Sequence, residues 1–258
     1  MQVTDQLHRV IEIPDNPLKI VSLVPSQTEL LVSLGLRDRL VGITKFCVHP
    51  TDLRNTVTVV GGTKSVHYDK IETLQPDIIL CNKEENTQEM VDRLSQIASV
   101  WISDIFTVDD ALEMISAFGS MFKVTTNASK LIATIKTEIR SFSEFMEGKA
   151  FKNVAYVIWK RPYMLAGRHT FINELLKLNR YENCIVEGDS RYPEVSLSAL
   201  NNVDLILLAS EPFPFKESDV VEIKNALNKE VRLVDGEYFS WYGSRLATAF
   251  QYFKTLHH

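Results

Sequence analysis

The chain is predicted to be an α/β protein with two lobes, each built on a parallel-type sheet, joined by one long rigid interlobe helix. A strand-turn-helix passage near the N-terminus reads KIVSLVPSQTELLVSLGL over residues 19–36. The same order returns over residues 153–178, where NVAYVIWKRPYMLAG precedes TFINELLKL. Between these passages, residues 126–146 carry apolar side chains at helical spacing for about six turns.

The first lobe alternates strands and helices. Residues 19–24 form a short continuous apolar run, which is typical of a buried parallel strand. Ser26 precedes Glu29 by three residues, and this capping-box spacing predicts that a helix starts at Ser26. The other predicted elements are an edge strand within 4–14, strands at 40–44, 77–81 and 100–102, and helices at 87–97 and 108–122.

The second lobe begins after GKAFKN, which closes the long helix before a fresh strand starts. Its predicted strands are 154–158, 204–209 and 231–234, and its predicted helices are 170–177, 216–227 and 243–256. We therefore expect a first lobe over 1–125, an interlobe helix over 126–148 and a second lobe over 149–258. The alternative is that 126–148 is one more packing helix of a single domain.

Composition excludes several classes of protein. A chain of 258 residues with 45% hydrophobic and 24% charged residues is long enough to bury a real core. A net charge of -5 and a pI near 5.7 argue against nucleic-acid binding. No apolar run approaches the ~20 residues that a membrane-spanning helix needs. We expect a monomer that neither binds nucleic acid nor spans a membrane.

The N-terminus and the cysteines bear on the compartment. The opening segment MQVTDQLHRVIEIPDNPLK has no basic stretch leading into an apolar one, so it does not match a signal peptide. Cys47, Cys81 and Cys184 are an odd number spread widely, which predicts no disulfide framework. If the chain natively starts at Met1, these features favour a cytoplasmic location.

No catalytic or metal site is predicted. The sequence has no G-x-S-x-G elbow, no Walker A loop and no G-x-G-x-x-G after a strand. Cys47 and His49, with His67 nearby, lack the second half of a zinc site, so we expect a loop cysteine and surface histidines. The glycine-rich segment 61–64 is expected to be a turn that lines a cleft.

The strongest functional signal is a set of aromatic and arginine side chains near predicted strand ends. Aromatic rings bury large apolar area with little side-chain entropy, and arginine adds forked donors. Such a set suits a broad, flat, amide-decorated macrocycle. It comprises Phe46, Tyr68, Trp159, Arg161, Tyr163, Arg168, Tyr192, Trp241, Tyr242 and Arg245. Trp159 ends an apolar strand and is expected in the core, whereas Trp241 and Tyr242, flanked by serine and glycine, are expected to line a cleft.

A family resemblance covers nearly the whole chain. The phrases SLVPSQTELLVSLG, VGITKFCVHP and GGTKSVHYDKIETLQPDIIL are followed by RPYMLAG, RYPEVS, VDLILLAS and YFSWYGSR. In this order they resemble the substrate-binding proteins of cobalamin and iron-chelate ABC importers, most of all the cobalamin-binding branch. The resemblance implies a two-lobed binding protein without catalysis, a bulky metal-chelate ligand such as cobalamin, no other cofactor, a permease partner and a periplasmic or cell-envelope location.

The resemblance also implies site residues. The family's ligand-contacting positions fall on Ser26, Phe46, Lys64, Tyr192 and 241–245. Phe46 stands where the family has a tyrosine, and Lys64 stands where it has a tryptophan. Fewer flat apolar walls and an extra cation fit another corrinoid, or a carboxylate-bearing iron chelate or haem.

Permease docking in the resembling family uses one acidic residue at the tip of each lobe. Asp69 takes the first position here, but Ser198 takes the second, with Glu194 four residues earlier. We therefore expect weak docking to a cobalamin-type permease. A rival interpretation is a cytoplasmic enzyme or chaperone that handles a corrinoid on the same scaffold.

Overall fold

The computed structural model describes residues 1–185 and 190–257, which divide into two compact units. The first unit contains residues 1–105, 109–136 and 242–247, and the rest of the described chain forms the second. The boundary thus falls inside the long helix, and a C-terminal segment returns to the first unit. The predicted lobes were contiguous, because sequence order alone does not reveal such a return.

The first unit is built on a five-stranded parallel sheet in the order β5-β4-β3-β6-β7. Its strands are β3 (Ile20–Ser22), β4 (Leu40–Ile43), β5 (Thr58–Val59), β6 (Ile78–Asn82) and β7 (Val100–Ser103). Its helices are α1 (Pro25–Ser33), α2 (Tyr68–Leu74), α3 (Gln88–Leu94) and, in nearly its whole length, α4 (Val108–Met121). The central strand β3 is fully buried, as its apolar run predicted. Because the strands are parallel, their carboxyl ends share one edge of the sheet.

The N-terminal residues form an antiparallel ribbon and not the predicted single edge strand. Strands β1 (Gln2–Thr4) and β2 (Val10–Glu12) pair with each other. The buried carboxylate of Asp5 closes the turn between them, since its Oδ1 accepts the backbone N–H groups of Leu7 and Arg9 at 3.0 and 2.9 Å.

The first helix does not start with the predicted capping box. Val24 is its N-cap residue, no side chain caps it, and Pro25 occupies the first turn, where the missing N–H is harmless. Ser26 is buried inside this turn. Glu29 does not reach back to the helix start, because it pairs with Arg245.

The long helix is α5 (Thr125–Met146), which has 22 residues and spans about 33 Å. Ala128, Ile135 and Phe142 are buried at seven-residue spacing, so one stripe of the helix faces apolar neighbours. Gly148 follows it with a φ of 75°, a backbone conformation that glycine adopts without strain. This matches the predicted closure by GKAFKN.

The second unit holds a six-stranded sheet in the order β11-β9-β8-β12-β13, with β10 also paired to β8. Its strands are β8 (Lys152–Trp159), β9 (Tyr163–Leu165), β10 (Tyr181–Asn183), β11 (Glu194–Val195), β12 (Leu205–Ala209) and β13 (Glu230–Val234). The remaining helices of the chain are α6 (Phe171–Leu178), α7 (Glu217–Leu227), α8 (Gly236–Ser240) and α9 (Leu246–Thr255). Pairs among β8, β10, β12 and β13 are parallel, and the pairs made by β9 and β11 are antiparallel. Within the described residues, no helix combines the length and the apolar character needed to cross a membrane.

Candidate functional site

The carboxyl edge of the first sheet is held together by small polar side chains. Gln27 Nε2 donates to Ser103 Oγ at 2.6 Å, and Asn82 Nδ2 donates to the same oxygen at 3.0 Å. Thr28 Oγ1 donates to Ser22 Oγ at 2.8 Å. Since all five residues are nearly or fully buried, these bonds fix the segments that follow β3, β6 and β7 against one another.

Cys47 lies in a loop, as predicted, and its side chain belongs to this polar frame. Its side chain is fully buried, and its Sγ lies 3.1 Å from Thr28 Oγ1 and 3.3 Å from Thr44 Oγ1. Burial raises the pKa of the Cys47 thiol. His49 is half-buried and His67 is exposed. The described part of the chain contains no group of three or more His, Cys, Asp or Glu residues that could hold a metal ion.

Phe46 presents its ring at this edge. The side chain is 49% exposed, and Lys45 Nζ lies 5.1 Å from the ring centroid. The backbone beneath it is fixed, because Phe46 N–H donates to Thr44 Oγ1 at 3.3 Å and Arg54 donates to the Lys45 carbonyl at 3.1 Å. An exposed apolar ring on a fixed loop is suited to contact a flat ligand.

Lys64 ties two loops together. Its Nζ donates to the backbone carbonyl of Glu84 at 2.6 Å, which joins the loop after β5 to the loop after β6. Gly61 has a φ of +130°, and a Cβ atom there would lie 2.6 Å from the Ser65 carbonyl oxygen. The segment 61–64 is therefore a tight turn that requires glycine.

Tyr68 and Asp69 open α2. The Tyr68 ring is half-buried against the apolar core of the first unit, and the guanidinium of Arg93 lies 3.8 Å from its centroid. Asp69 is exposed in the first turn, where the helix dipole favours a carboxylate. Asp69 is thus available for the docking role that the sequence predicts.

The segment 242–247 anchors on the first unit. The guanidinium of Arg245 donates to both carboxylate oxygens of Glu29, at 2.7 and 3.2 Å. Tyr242 is buried, and burial together with the charge of Glu85 raises the pKa of its hydroxyl well above the usual value, while Ser103 and Ser26 act in the opposite direction. The predicted site residues Ser26, Tyr242 and Arg245 are therefore brought together at one edge of the first unit.

Two aromatic rings meet at the carboxyl edge of the second sheet. Trp159, the last residue of β8, is 40% exposed, which contradicts its predicted place in the core. Its ring packs edge-on against Phe213, which follows β12, with centroids 5.5 Å apart. The register of β8 against β9 shifts between Val157 and Trp159, so the end of the strand does not continue the buried pattern. Sequence analysis missed Phe213, although EPFPF after a buried strand was a usable signal.

The turn after β8 carries the other predicted residues of this region. Arg161 is exposed and has a φ of 68°. Tyr163 packs half-buried on the core of the second unit, and burial raises the pKa of its hydroxyl. Arg168 Nε donates to the Ile185 carbonyl at 3.1 Å. The guanidinium of the exposed Arg161 forms no hydrogen bond or ion pair with another described residue.

Tyr192 and Glu194 lie at the β9–β11 edge. Tyr192 is half-buried, and its backbone N–H donates to Ser190 Oγ at 3.3 Å. Glu194 is exposed at the start of β11. Ser198, also exposed, shares a 2.9 Å hydrogen bond with Ser196.

Trp241 is buried and donates a hydrogen bond to Glu211, a residue that the sequence did not single out. The side chain is 8% exposed, and its Nε1 donates to Glu211 Oε1 at 2.9 Å. Ser240 Oγ donates to the same oxygen at 2.7 Å. The expectation that Trp241 lies open in a cleft does not match this burial; the residue is the C-cap of α8. Its role toward a ligand stays a prediction.

Glu211 is a carboxylate without a cation. Among the described residues no lysine, arginine or histidine forms an ion pair with it. Burial raises the pKa of its carboxyl above the usual value, with further increases from the charges of Glu237 and Asp235, while the Ser240 and Trp241 donors act in the opposite direction.

A Glu211→Gln variant is expected to gain stability over the wild type as pH rises. The raised pKa means that the unfolded chain ionises first, so the charged carboxylate destabilises the fold progressively from the ordinary glutamate pKa of about 4.3 upward. Urea unfolding of both proteins at pH 4 and pH 7.5 measures this. A difference in the free energy of unfolding that stays constant with pH would contradict it.

Comparison with known proteins places the chain in a family. A family profile described as periplasmic binding protein matches residues 20–228. The chain belongs to the periplasmic binding protein family. An uncharacterised ABC transporter substrate-binding lipoprotein of Bacillus subtilis is 28% identical to this chain, in an alignment that covers 72% of this chain. A vitamin B12-binding protein of Vibrio campbellii is 21% identical, in an alignment that covers 69% of this chain. The alignments span 61% and 65% of those two relatives, which is less than two thirds of either.

Solved structures of other binding proteins share the fold of this family member. The periplasmic vitamin B12 binding protein of Vibrio cholerae superimposes with a TM-score of 0.79 at 19% identity, covering 94% of this chain and 97% of that one. A periplasmic haem binding protein of Pseudomonas aeruginosa gives a TM-score of 0.81 at 17% identity, covering 93% and 92%. These likenesses confirm the predicted α/β class with two lobes.

Proposed function

We propose that this chain is the substrate-binding protein of an ABC importer and that its ligand is a bulky metal chelate, first of all cobalamin or another corrinoid. Family membership and the roles of the named relatives support the class. The observation that carries the ligand proposal is the set of exposed aromatic rings at strand carboxyl ends: Phe46 in the first unit, and Trp159 beside Phe213 in the second.

Exposed rings at these positions have a physical reason to be there. Large apolar side chains left in water forgo the stabilisation that burial brings, about 1.5–3 kcal/mol for a side chain such as phenylalanine. In parallel sheets the carboxyl edge is where ligands bind. In either unit, a flat macrocycle lying on the exposed rings would recover that stabilisation.

A second candidate within the same class is haem or a ferric chelate. The exposed guanidinium of Arg161 supports it, because guanidinium groups bind carboxylates such as those on haem and many iron chelates. The solved haem binding protein shows that this fold accommodates haem elsewhere. A corrinoid-handling protein on the same scaffold is the third candidate, and no particular contact favours it.

The partner and the location of the protein are also proposals, and they follow from the same reasoning. An importer component would meet a permease, and the exposed carboxylates of Asp69 and Glu194 are the candidate contacts in the two units. Rim charges mainly guide encounter and register. The relatives described as a lipoprotein and as periplasmic proteins support a location in the cell envelope.

A ligand panel tests the proposal. The purified chain is titrated with cyanocobalamin, dicyanocobinamide, haem and a ferric siderophore, with absorption spectra and calorimetry recorded together. We expect a corrinoid to bind with micromolar or tighter affinity, about -8 kcal/mol or better, and to be recovered unchanged. Chemical conversion of the ligand, or no binding by any member of the panel, would overturn the proposal.

Removing the exposed rings should weaken binding without unfolding the protein. Phe46→Ala and Trp159→Ala are each expected to reduce ligand affinity by about 1–3 kcal/mol, as truncation of an aromatic anchor typically does. Calorimetry measures the affinity, and urea unfolding checks stability.

The matched control for these variants is Phe151→Ala. Phe151 is 59% exposed at the amino end of β8, with the Arg180 guanidinium 5.4 Å from its ring centroid. It lies at the opposite end of the strand from Trp159, so its loss should leave affinity unchanged. Equal weakening by all three variants would contradict the assignment of the carboxyl edge.

A further inference from the structure

We propose that Glu211 makes the site selective for ligands whose rim offers N–H or O–H donors, such as carboxamides, over ligands whose rim carries carboxylates. This inference rests on the proposed function and names the chemistry that the second unit recognises. It concerns a residue that the motif analysis did not single out. Three features of Glu211 support it: how the side chain is held, which of its oxygens accepts hydrogen bonds, and which charges surround it.

Glu211 is held in one place at the carboxyl edge of the second sheet. It lies two residues beyond β12, and its side chain packs on Gly236, where a Cβ atom would come within 2.7 Å of Glu211 Cγ. The backbone N–H of Gly236 donates to Ser210 Oγ at 3.0 Å, which ties the loops after β12 and β13 together. The carboxylate therefore cannot swing away without moving both loops.

One oxygen of the Glu211 carboxylate accepts hydrogen bonds from the protein, and the other does not. Oε1 accepts both Ser240 Oγ and Trp241 Nε1. Oε2 accepts no hydrogen bond from the described residues, and it is not among the buried side-chain atoms that lack partners, so it retains contact with solvent. A ligand donor could complete its coordination, and hydrogen bonds to charged groups are the stronger kind.

The surroundings of Glu211 favour a donor over an anion. The carboxylates of Asp235 and Glu237 add negative potential. Lys160, in the turn after β8, is held between Asp219 and Glu222 at 2.7 Å from each, so its charge is neutralised. A ligand carboxylate placed here would meet the like charge of Glu211.

Arg161 is one cation of the second unit that could reverse this preference. Its side chain is exposed, and charges in water are screened over a Debye length of about 10 Å. The largely buried carboxylate of Glu211 is screened less, so we expect it to dominate discrimination at a ligand rim that it touches.

The test compares two corrinoids that share the cobalt-corrin ring and differ at the rim. Dicyanocobinamide carries carboxamides, and dicyanocobyrinic acid carries carboxylates. Both are titrated at pH 8. We expect the wild type to bind the amide form at least about tenfold more tightly, and Glu211→Gln to reduce that ratio at least about fivefold, mainly by tighter binding of the acid.

The control is Glu182→Gln, which removes one exposed carboxylate from β10, where it pairs with the amino end of β8. It should leave the ratio unchanged. Amide-corrinoid binding without preference in the wild type, or an equal change in both variants, would overturn the role of Glu211 while the proposed function stands. If no corrinoid, haem or ferric chelate binds at all, the proposed function fails and this inference fails with it. The wild-type preference is measured independently of whether Glu211→Gln folds.

Discussion

Trp241→Ala is expected to lower the free energy of unfolding by about 3–5 kcal/mol, the usual result for a buried tryptophan cut back to alanine. The ring is 8% exposed, so its loss leaves a cavity. The change also removes one of two donors to Glu211 Oε1, which leaves a largely buried carboxylate less well satisfied. Urea unfolding followed by circular dichroism measures the effect.

Trp159→Ala is the matched control, because it makes the same chemical change at a ring that is 40% exposed. Its effect on stability should stay within about 1 kcal/mol. Trp241→Phe separates the contribution of buried apolar area to stability from that of the hydrogen bond, since it keeps most of the apolar surface and loses the indole N–H. A Trp241→Ala protein that unfolds like the wild type but loses ligand affinity would show that the ring lines the site after all.

Arg245→Met is expected to lower the free energy of unfolding by about 2–3 kcal/mol. The Arg245 side chain is 12% exposed and that of Glu29 is 22% exposed, so the pair is only weakly screened by solvent. Methionine would leave Glu29 partly buried without its forked donor. Unfolding of Arg245→Met, Glu29→Gln and the double variant in a thermodynamic cycle isolates the pair.

Arg37→Met provides the comparison for a solvent-exposed ion pair. Arg37 binds Asp52 at 2.6 Å, but the two side chains are 35% and 61% exposed. Such solvent-exposed pairs contribute little to stability. If Arg245→Met proves no more destabilising than Arg37→Met and instead weakens ligand binding, Arg245 serves the ligand as the sequence indicated.

Elements with strong local patterns were predictable from sequence. The apolar run before Pro25 became a fully buried central strand, and the helical spacing over 126–146 became α5. In both, burial follows from the order of neighbouring side chains, which the sequence displays directly. The short antiparallel strands β9 and β11 have three and two residues, too few for any period to appear.

The site residues were less predictable because their partners are distant in sequence. Glu29 was assigned to a local cap, yet it pairs with Arg245, 216 residues away. Trp159 was expected in the core but is exposed at a strand end. Trp241 was expected to line a cleft but is buried and donates a hydrogen bond to Glu211. Local context describes a residue's immediate neighbours, whereas exposure depends on which loop folds over it.

The return of residues 242–247 to the first unit has a consequence for the order in which the protein can be built. During synthesis, the strands and helices of the first unit leave the ribosome long before Arg245 does. Glu29 therefore has no ion-pair partner for more than half of translation. A fragment ending at Lys136 would lack that arginine permanently. Neither unit can therefore be released intact by a single cut in the chain, and the first reaches its final state only after most of the second has been synthesised.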